Sequence, residues 1–211
     1  MSRFRNTFFT SDMHIGHANS IKFDKRPFTD LEHMHRVLVN NYNASVKSGD
    51  ICYFLGDIGV ANTYITEQII KQLNGTKILI IGNHDKGYNA MLNAGFDAVM
   101  NSATLVIANE IVTLSHCPLY GVYREDTAGM RGGVLGENWH GETRYRFKEF
   151  TVPDYGQFHL HGHIHSPNGG KSEKILGKQY DVGIVANNYR PVSISMIESW
   201  IALYKRGENV R

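Results

Sequence analysis

The chain has 211 residues, 42% hydrophobic and 20% charged, with a formal net charge of +2. That length suits one domain with a sizeable core, and the near balance of charge leaves no polybasic footprint for duplex DNA or an anionic membrane. No stretch approaches about 18 consecutive apolar residues, so no membrane span is expected.

The first strand signal is Thr7 to Thr10, close to the start of the sequence, so no cleavable leader is expected. Two cysteines, Cys52 and Cys117, read as structural residues rather than a disulfide framework, so a cytoplasmic protein is expected. Leu31, Met34, Val37, Leu38, Tyr42 and Val46 have helical spacing behind an N-cap at Thr29 or Asp30. Asp50 to Leu55 reads as a strand, Thr66 to Leu73 as a helix stopped at Asn74-Gly75, and Lys77 to Ile81 as a further strand. Ala103 to Ser115 splits into two β runs around Asn109-Glu110, a hairpin signal. Asp181 to Val185 reads as a late strand, and Ser195-Met196-Ile197-Glu198 as a capping box opening an amphipathic helix through Ile201 and Tyr204. Strand and helix signals alternate as in a layered α/β domain.

Chemistry-bearing residues collect in short clusters: Asp12-Met13-His14, Gly56-Asp57, Gly82-Asn83-His84-Asp85, Ser115-His116 and Gly162-His163-Ile164-His165. Carboxylate oxygen with imidazole nitrogen suits first-row divalent ions, whereas magnesium or calcium prefers an all-oxygen shell. Asp12 and His14 lie two apart at a strand end and so project to one side. A lone histidine is usually structural or surface-exposed, and His33, His35 and His140 are read that way.

In order and spacing these clusters resemble the calcineurin-like metallophosphoesterases of the small bacterial and phage type, where D-x-H, G-D, G-N-H-[DE], a lone His and G-H-x-H follow core strands. The resemblance covers Thr10 to His165, weakest between His116 and His159. It implies two facing mixed β-sheets flanked by helices, a four-layer αββα sandwich. It also implies two divalent transition-metal ions, manganese first, with iron, zinc, nickel or cobalt as alternatives. One ion would be held by Asp12, His14, Asp57 and His165, the other by Asp57, Asn83, His116 and His163, with Asp57 bridging. Such pairs sit about 3.5–4 Å apart. His84 would protonate the leaving alkoxide, with Asp85 orienting its ring. The implied activity is phosphoester hydrolysis by a hydroxide held between the ions, on a nucleotide-type phosphodiester. Phosphomonoester hydrolysis is the alternative, and a non-catalytic metal-binding scaffold is a remoter one.

Around this core, His17 and Asn19 continue the first cluster as a G-H-x-N element seen in one branch of the superfamily, with substrate contact as one possible role. His159 and His161 are placed to hydrogen-bond behind the metal ligands. The segment 119–157 reads as an insert or lid. Its Arg124, Arg131 and Trp139 are candidates to grip phosphate and stack a base. Its basic and acidic residues cancel, so it is no footprint for a long polyanion.

Overall fold

A computed structural model of the chain describes residues 6–59, 63–119, 135–137, 143–145, 147–166 and 175–207. The strands are β1 (Thr7–Thr10), β2 (Ile51–Phe54), β3 (Thr76–Ile80), β4 (Ala98–Met100), β5 (Ala103–Ile107), β6 (Glu110–Leu114), β7 (Leu135–Glu137), β8 (Thr143–Tyr145), β9 (Phe158–His161), β10 (Ile175–Leu176), β11 (Gln179–Asp181) and β12 (Val192–Ser193). The helices are α1 (Ala18–Phe23), α2 (Leu31–Ser45), α3 (Thr63–Ile70), α4 (Tyr88–Asn93) and α5 (Ile194–Lys205).

Two mixed sheets carry the fold, in the orders β12-β1-β2-β3-β4 and β10-β11-β9-β6-β5, and β7-β8 form a separate ribbon. In the first sheet β1 to β4 run parallel and β12 pairs antiparallel at the edge. In the second, β6, β9 and β11 are parallel while β5 and β10 are antiparallel. Parallel strands buried on both faces should be apolar on both, and β1 to β3 are. Phe8, Cys52, Phe54 and Leu79 pack toward Met34, Leu38 and Tyr42 of α2, Ile70 of α3 and Met91 of α4. Phe9, Leu55 and Ile80 face the other way, into a second core with Val112, Leu114, Phe158, Leu160 and Tyr180 of the second sheet and Ile197, Trp200 and Ile201 of α5. The sheets therefore face each other, with helices on the outer face of the first.

Asp30 caps α2, its side chain accepting the His33 N–H. The hairpin turn falls at Ala108-Asn109, one residue earlier than expected, and both residues have the positive φ of a type I′ turn. α3 is shifted three residues toward the N-terminus of the expected helix. The late strand ends at Asp181, and Asn187 closes the turn after it by donating to the Asp181 and Gly183 carbonyls. The cap of α5 is Ser193, not Ser195. Ser193 ends β12 in extended conformation and accepts the Met196 N–H, so the helix starts two residues before the capping-box pattern. Among the described residues no helix is long and apolar enough to cross a membrane. Cys52 and Cys117 are both buried and unbridged.

Candidate metal centre

Each cluster begins where a parallel strand ends. Asp12 and His14 follow β1, Asp57 follows β2 and Asn83 follows β3, while His116 follows β6 and both His163 and His165 follow β9. The carboxyl ends of five parallel strands, from both sheets, thus open onto one site, where ligands of α/β sheets characteristically bind. The turns are sharp. Asp12, His14, Asp57, His163 and His165 all have φ between 47° and 69°, a region non-glycine residues rarely occupy and which clusters at functional sites. Gly56 and Gly82 let two of these turns touch. A Cβ on Gly56 would lie 2.5 Å from His116 Nδ1 and 2.7 Å from Gly82 Cα, and one on Gly82 would lie 2.5 Å from Asp57 Oδ1.

The donors fall into two groups joined by aspartates. In the first, His14 Nε2 lies 3.0 Å from His165 Nε2, and His165 Nε2 lies 3.5 Å from Asp12 Oδ1. In the second, His116 Nε2 lies 2.9 Å from Asn83 Oδ1 and 3.2 Å from His163 Nδ1. Asp57 stands between the groups. Its Oδ1 is 3.3 Å from His116 Nε2 and its Oδ2 is 3.7 Å from His14 Nε2. Asp12, His14 and His165 could hold one ion, and Asp12, Asp57 and His116 another. At metal–nitrogen distances of about 2.0–2.1 Å, two donors on one ion stand about 3 Å apart, which the observed spacings match.

The hydrogen-bond partners of the rings show which nitrogens face the site. His116 Nδ1 lies 2.7 Å from the Leu55 carbonyl, which can only accept, so that nitrogen carries the proton. Its Nε2 then turns a lone pair toward Asp57 Oδ1, Asn83 Oδ1 and His163 Nδ1. His165 repeats the pattern, with Nδ1 2.9 Å from Asp24 Oδ1 and Nε2 facing His14 and Asp12. A positive charge, from a second proton or a metal ion, would hold such facing acceptors together. Burial opposes charge on both rings, yet Asp57 and Asp12 raise His116 to about 9, while Asp12 and Asp24 raise His165 to about 10. Burial lowers His14 to about 3 and His163 to about 4, leaving these rings neutral and available as ligands. Burial also works against charge on Asp12, but His165, His116 and His14 hold its carboxyl well below the usual range. Buried His14 Nδ1 and His163 Nε2 have no hydrogen-bond partner.

All seven expected metal ligands meet here, and His84 stands at the rim. Its ring is about half exposed, 48%, with Nε2 4.0 Å from Asp57 Oδ2, and its backbone N–H donates to Asp57 Oδ1 at 2.9 Å. Asp85 departs from expectation: it does not orient the His84 ring. Its carboxylate accepts the backbone N–H groups of Asp57, Ile58 and Gly82 at 2.8–3.0 Å, tying the turn after β2 to the turn after β3. Desolvation raises its carboxyl to about 6 against the pull of these donors.

His159 and His161 also differ from expectation. His159 bonds Thr113, Ser115 and the Cys117 carbonyl, and His161 the Gly162 carbonyl, so neither backs a metal ligand directly. His17 lies beside the site, its ring centroid 5.7 Å from that of His14, and Asn19 is exposed on α1. His35 is structural, accepting the Gly16 N–H at 3.0 Å, and His33 is half-buried at the start of α2, its Nδ1 3.3 Å from Thr29 N. Cys117 lies beside His116 and His163, and burial pushes its thiol up, keeping it protonated. Arg124, Arg131, Trp139 and His140 lie outside the described residues.

Asp24 and Arg26 escape sequence reasoning. Asp24 receives His165 Nδ1–H, and Arg26, 4% exposed, grips Asp24 Oδ2 through Nε and NH2 at 2.9 and 2.8 Å. An Asp-x-Arg in a loop has no periodicity to mark it as buried; its position soon after a ligand cluster is the one available signal.

No family model matches the chain. An uncharacterized protein of Methanocaldococcus jannaschii is 40% identical over 84 residues, 39% of this chain, and the match spans about half, 48%, of that protein's length. The Gene 66 protein of Mycobacterium phage L5 is 31% identical over 191 residues, covering 86% of this chain and 87% of the phage protein. The Gene 66 protein of Mycobacterium phage D29 is 28% identical over 179 residues, covering 76% and 79%. The crystal structure of a protein of unknown function from Aquifex aeolicus aligns with a TM-score of 0.62 at 25% identity, over 93% of this chain and 99% of that one. With a relative this similar along nearly its whole length, the chain belongs to the family of the mycobacteriophage Gene 66 proteins.

Proposed function

We propose that this chain is a metal-dependent phosphoric ester hydrolase of the calcineurin-like metallophosphoesterase type, with the four-layer αββα sandwich of that superfamily, acting on a nucleotide-type phosphodiester. The observation that carries the reading is the convergence of lone pairs from His116, Asn83 and Asp57 on one side and His14, His165 and Asp12 on the other. Neutral nitrogen and anionic oxygen in this mixture suit manganese or a related first-row ion better than magnesium.

Asp12, His14, Asp57 and His165 would hold one ion, and Asp57, Asn83, His116 and His163 the other. When bound, the pair supplies a water nucleophile at neutral pH and neutralises charge on the phosphoryl oxygens. The protein's own groups do the rest. Asp57 presents one oxygen to each side, which sets the separation of the two positions. Asp85 holds the Asp57 turn rigid through the backbone. His84, half exposed at the rim beside His14, is placed to give a proton to the departing oxygen.

The test is metal content by elemental analysis together with turnover of bis-p-nitrophenyl phosphate and p-nitrophenyl phosphate by manganese-loaded protein in heavy-oxygen water. Expected are two ions per chain, faster turnover of the diester, and the label in the phosphate product. Stoichiometric metal without turnover of either ester would refute the hydrolase reading, and a faster monoester would reassign the substrate class.

A further inference from the structure

We infer that Asp24 and Arg26 are a positioning pair for the cation position formed by Asp12, His14 and His165, an inference that rests on the metal-centre reading above. Two independent sets of contacts meet in this pair. Asp24 Oδ1 accepts His165 Nδ1–H at 2.9 Å, which fixes the tautomer and aims Nε2 at His14 and Asp12. A carboxylate behind a metal-binding imidazole also makes the ring a better donor.

Arg26 works on the opposite ligand. Its NH2 donates to the Asp12 carbonyl at 3.2 Å and its NH1 to the Met13 carbonyl at 3.0 Å. These carbonyls flank the turn in which Asp12 holds φ 60° and His14 φ 50°, so the guanidinium clamps the strained backbone that aims both side chains. The same guanidinium holds Asp24 Oδ2 through two N–H groups. One buried cation thus couples the turn after β1 to the histidine after β9, drawing together ligands 151 residues apart in the chain. Lysine could not replace it, since an ammonium has no planar fork to span a carboxylate and two carbonyls. At the second position the imidazole is backed differently: His116 Nδ1 leans on the neutral carbonyl of Leu55 rather than on a carboxylate.

The pair should therefore govern one ion and not the other, which a merely structural ion pair would not do. Manganese binding followed by electron paramagnetic resonance of the free ion is compared for the wild type, Asp24→Asn, Asp24→Ala and Arg26→Lys. Metal-free protein labelled with ¹⁵N-histidine is followed by NMR, with melting temperatures recorded alongside. The wild type is expected to bind two ions. One of them weakens about 10–100-fold in each variant, least in Asp24→Asn, which keeps an acceptor, while the other is unchanged. The ring N–H resonance of His165 moves or disappears in Asp24→Ala, and that of His116 stays. Equal weakening of both ions, or none, in variants that melt like the wild type overturns the inference and leaves the metal centre standing. A wild type that takes up no manganese overturns both. Should Asp24→Ala fail to fold, Asp24→Asn and Arg26→Lys decide the matter by the same readouts.

Discussion

Asp85 Oδ2 accepts the backbone N–H of Asp57 at 3.0 Å and, with the same oxygen, that of Gly82 at 2.8 Å. The acid in the Gly82-Asn83-His84-Asp85 cluster is therefore an anchor between two turns rather than a partner of its neighbouring histidine. Asp85→Ala would leave three N–H groups, those of Asp57, Ile58 and Gly82, without their acceptor. At about 1–3 kcal/mol for each group left unpaired by water, chemical denaturation should show a loss of several kcal/mol, and elemental analysis a loss of metal. An Asp85→Ala protein with wild-type stability and metal content would contradict the anchoring role.

His84→Ala should behave in the opposite way. The ring is half exposed and belongs to neither donor group, so two ions should remain bound while turnover falls about 10²–10⁴-fold. An ester whose leaving group needs no proton, such as p-nitrophenyl phosphate, should show the smallest loss. Depletion of metal in this variant would place His84 among the ligands instead.

Acid should test His159. Burial, then the neighbouring His161, lowers its pKa from 6.5 to about 3, so the folded protein keeps this ring neutral. A group with a depressed folded pKa of this kind contributes stability above the unfolded value, and that stability drains away as pH falls from about 6.5 toward about 3. One proton taken up on unfolding corresponds to about 1.4 kcal/mol per pH unit. Urea unfolding between pH 7 and 5 should show the wild type losing stability more steeply than His159→Gln, by a slope approaching that value. Parallel slopes would mean that the ring is charged in the native state.

Chelation should destabilise as well as inactivate. A bound ion present at about 100 times its dissociation constant contributes about 2.7 kcal/mol, which for a chain of this size corresponds to a melting shift of roughly 5–10 °C. Calorimetry before and after exhaustive chelation should show that drop, with full recovery on adding manganese. An unchanged transition would indicate that the ions do not bind the native donors.

Much of this arrangement was legible because a strand end followed by a donor is a local pattern. Asp12, His14, Asp57, Asn83, His116, His163 and His165 each sit in a short cluster just after a strand-like run, and those runs are β1, β2, β3, β6 and β9. Asp30 as a helix cap was readable for the same reason. What escaped depends on contacts distant in sequence. The partner of Asp24 is His165, 141 residues away, and no spacing encodes that meeting. Asp85 does not take the role expected of it because neighbours in sequence need not touch: the backbone N–H groups it binds lie 27 and 28 residues upstream as well as three residues before it. Ser193 displaced Ser195 as the cap because pairing of Phe8 with Ser193 sets where β12 stops, a fact of the sheet and not of the helix.

The five proposed ligands held at positive φ ask for glycine's backbone and a donor's side chain in one residue. Both cannot be had, so every such position sets foldability against binding. Replacing Asp12 by glycine should cost less stability than replacing it by alanine, even though both remove the carboxylate, because glycine alone relaxes the turn. The site occupies the part of the molecule where the chain is least at ease, and a search for more robust variants should drift toward ones that have shed these donors.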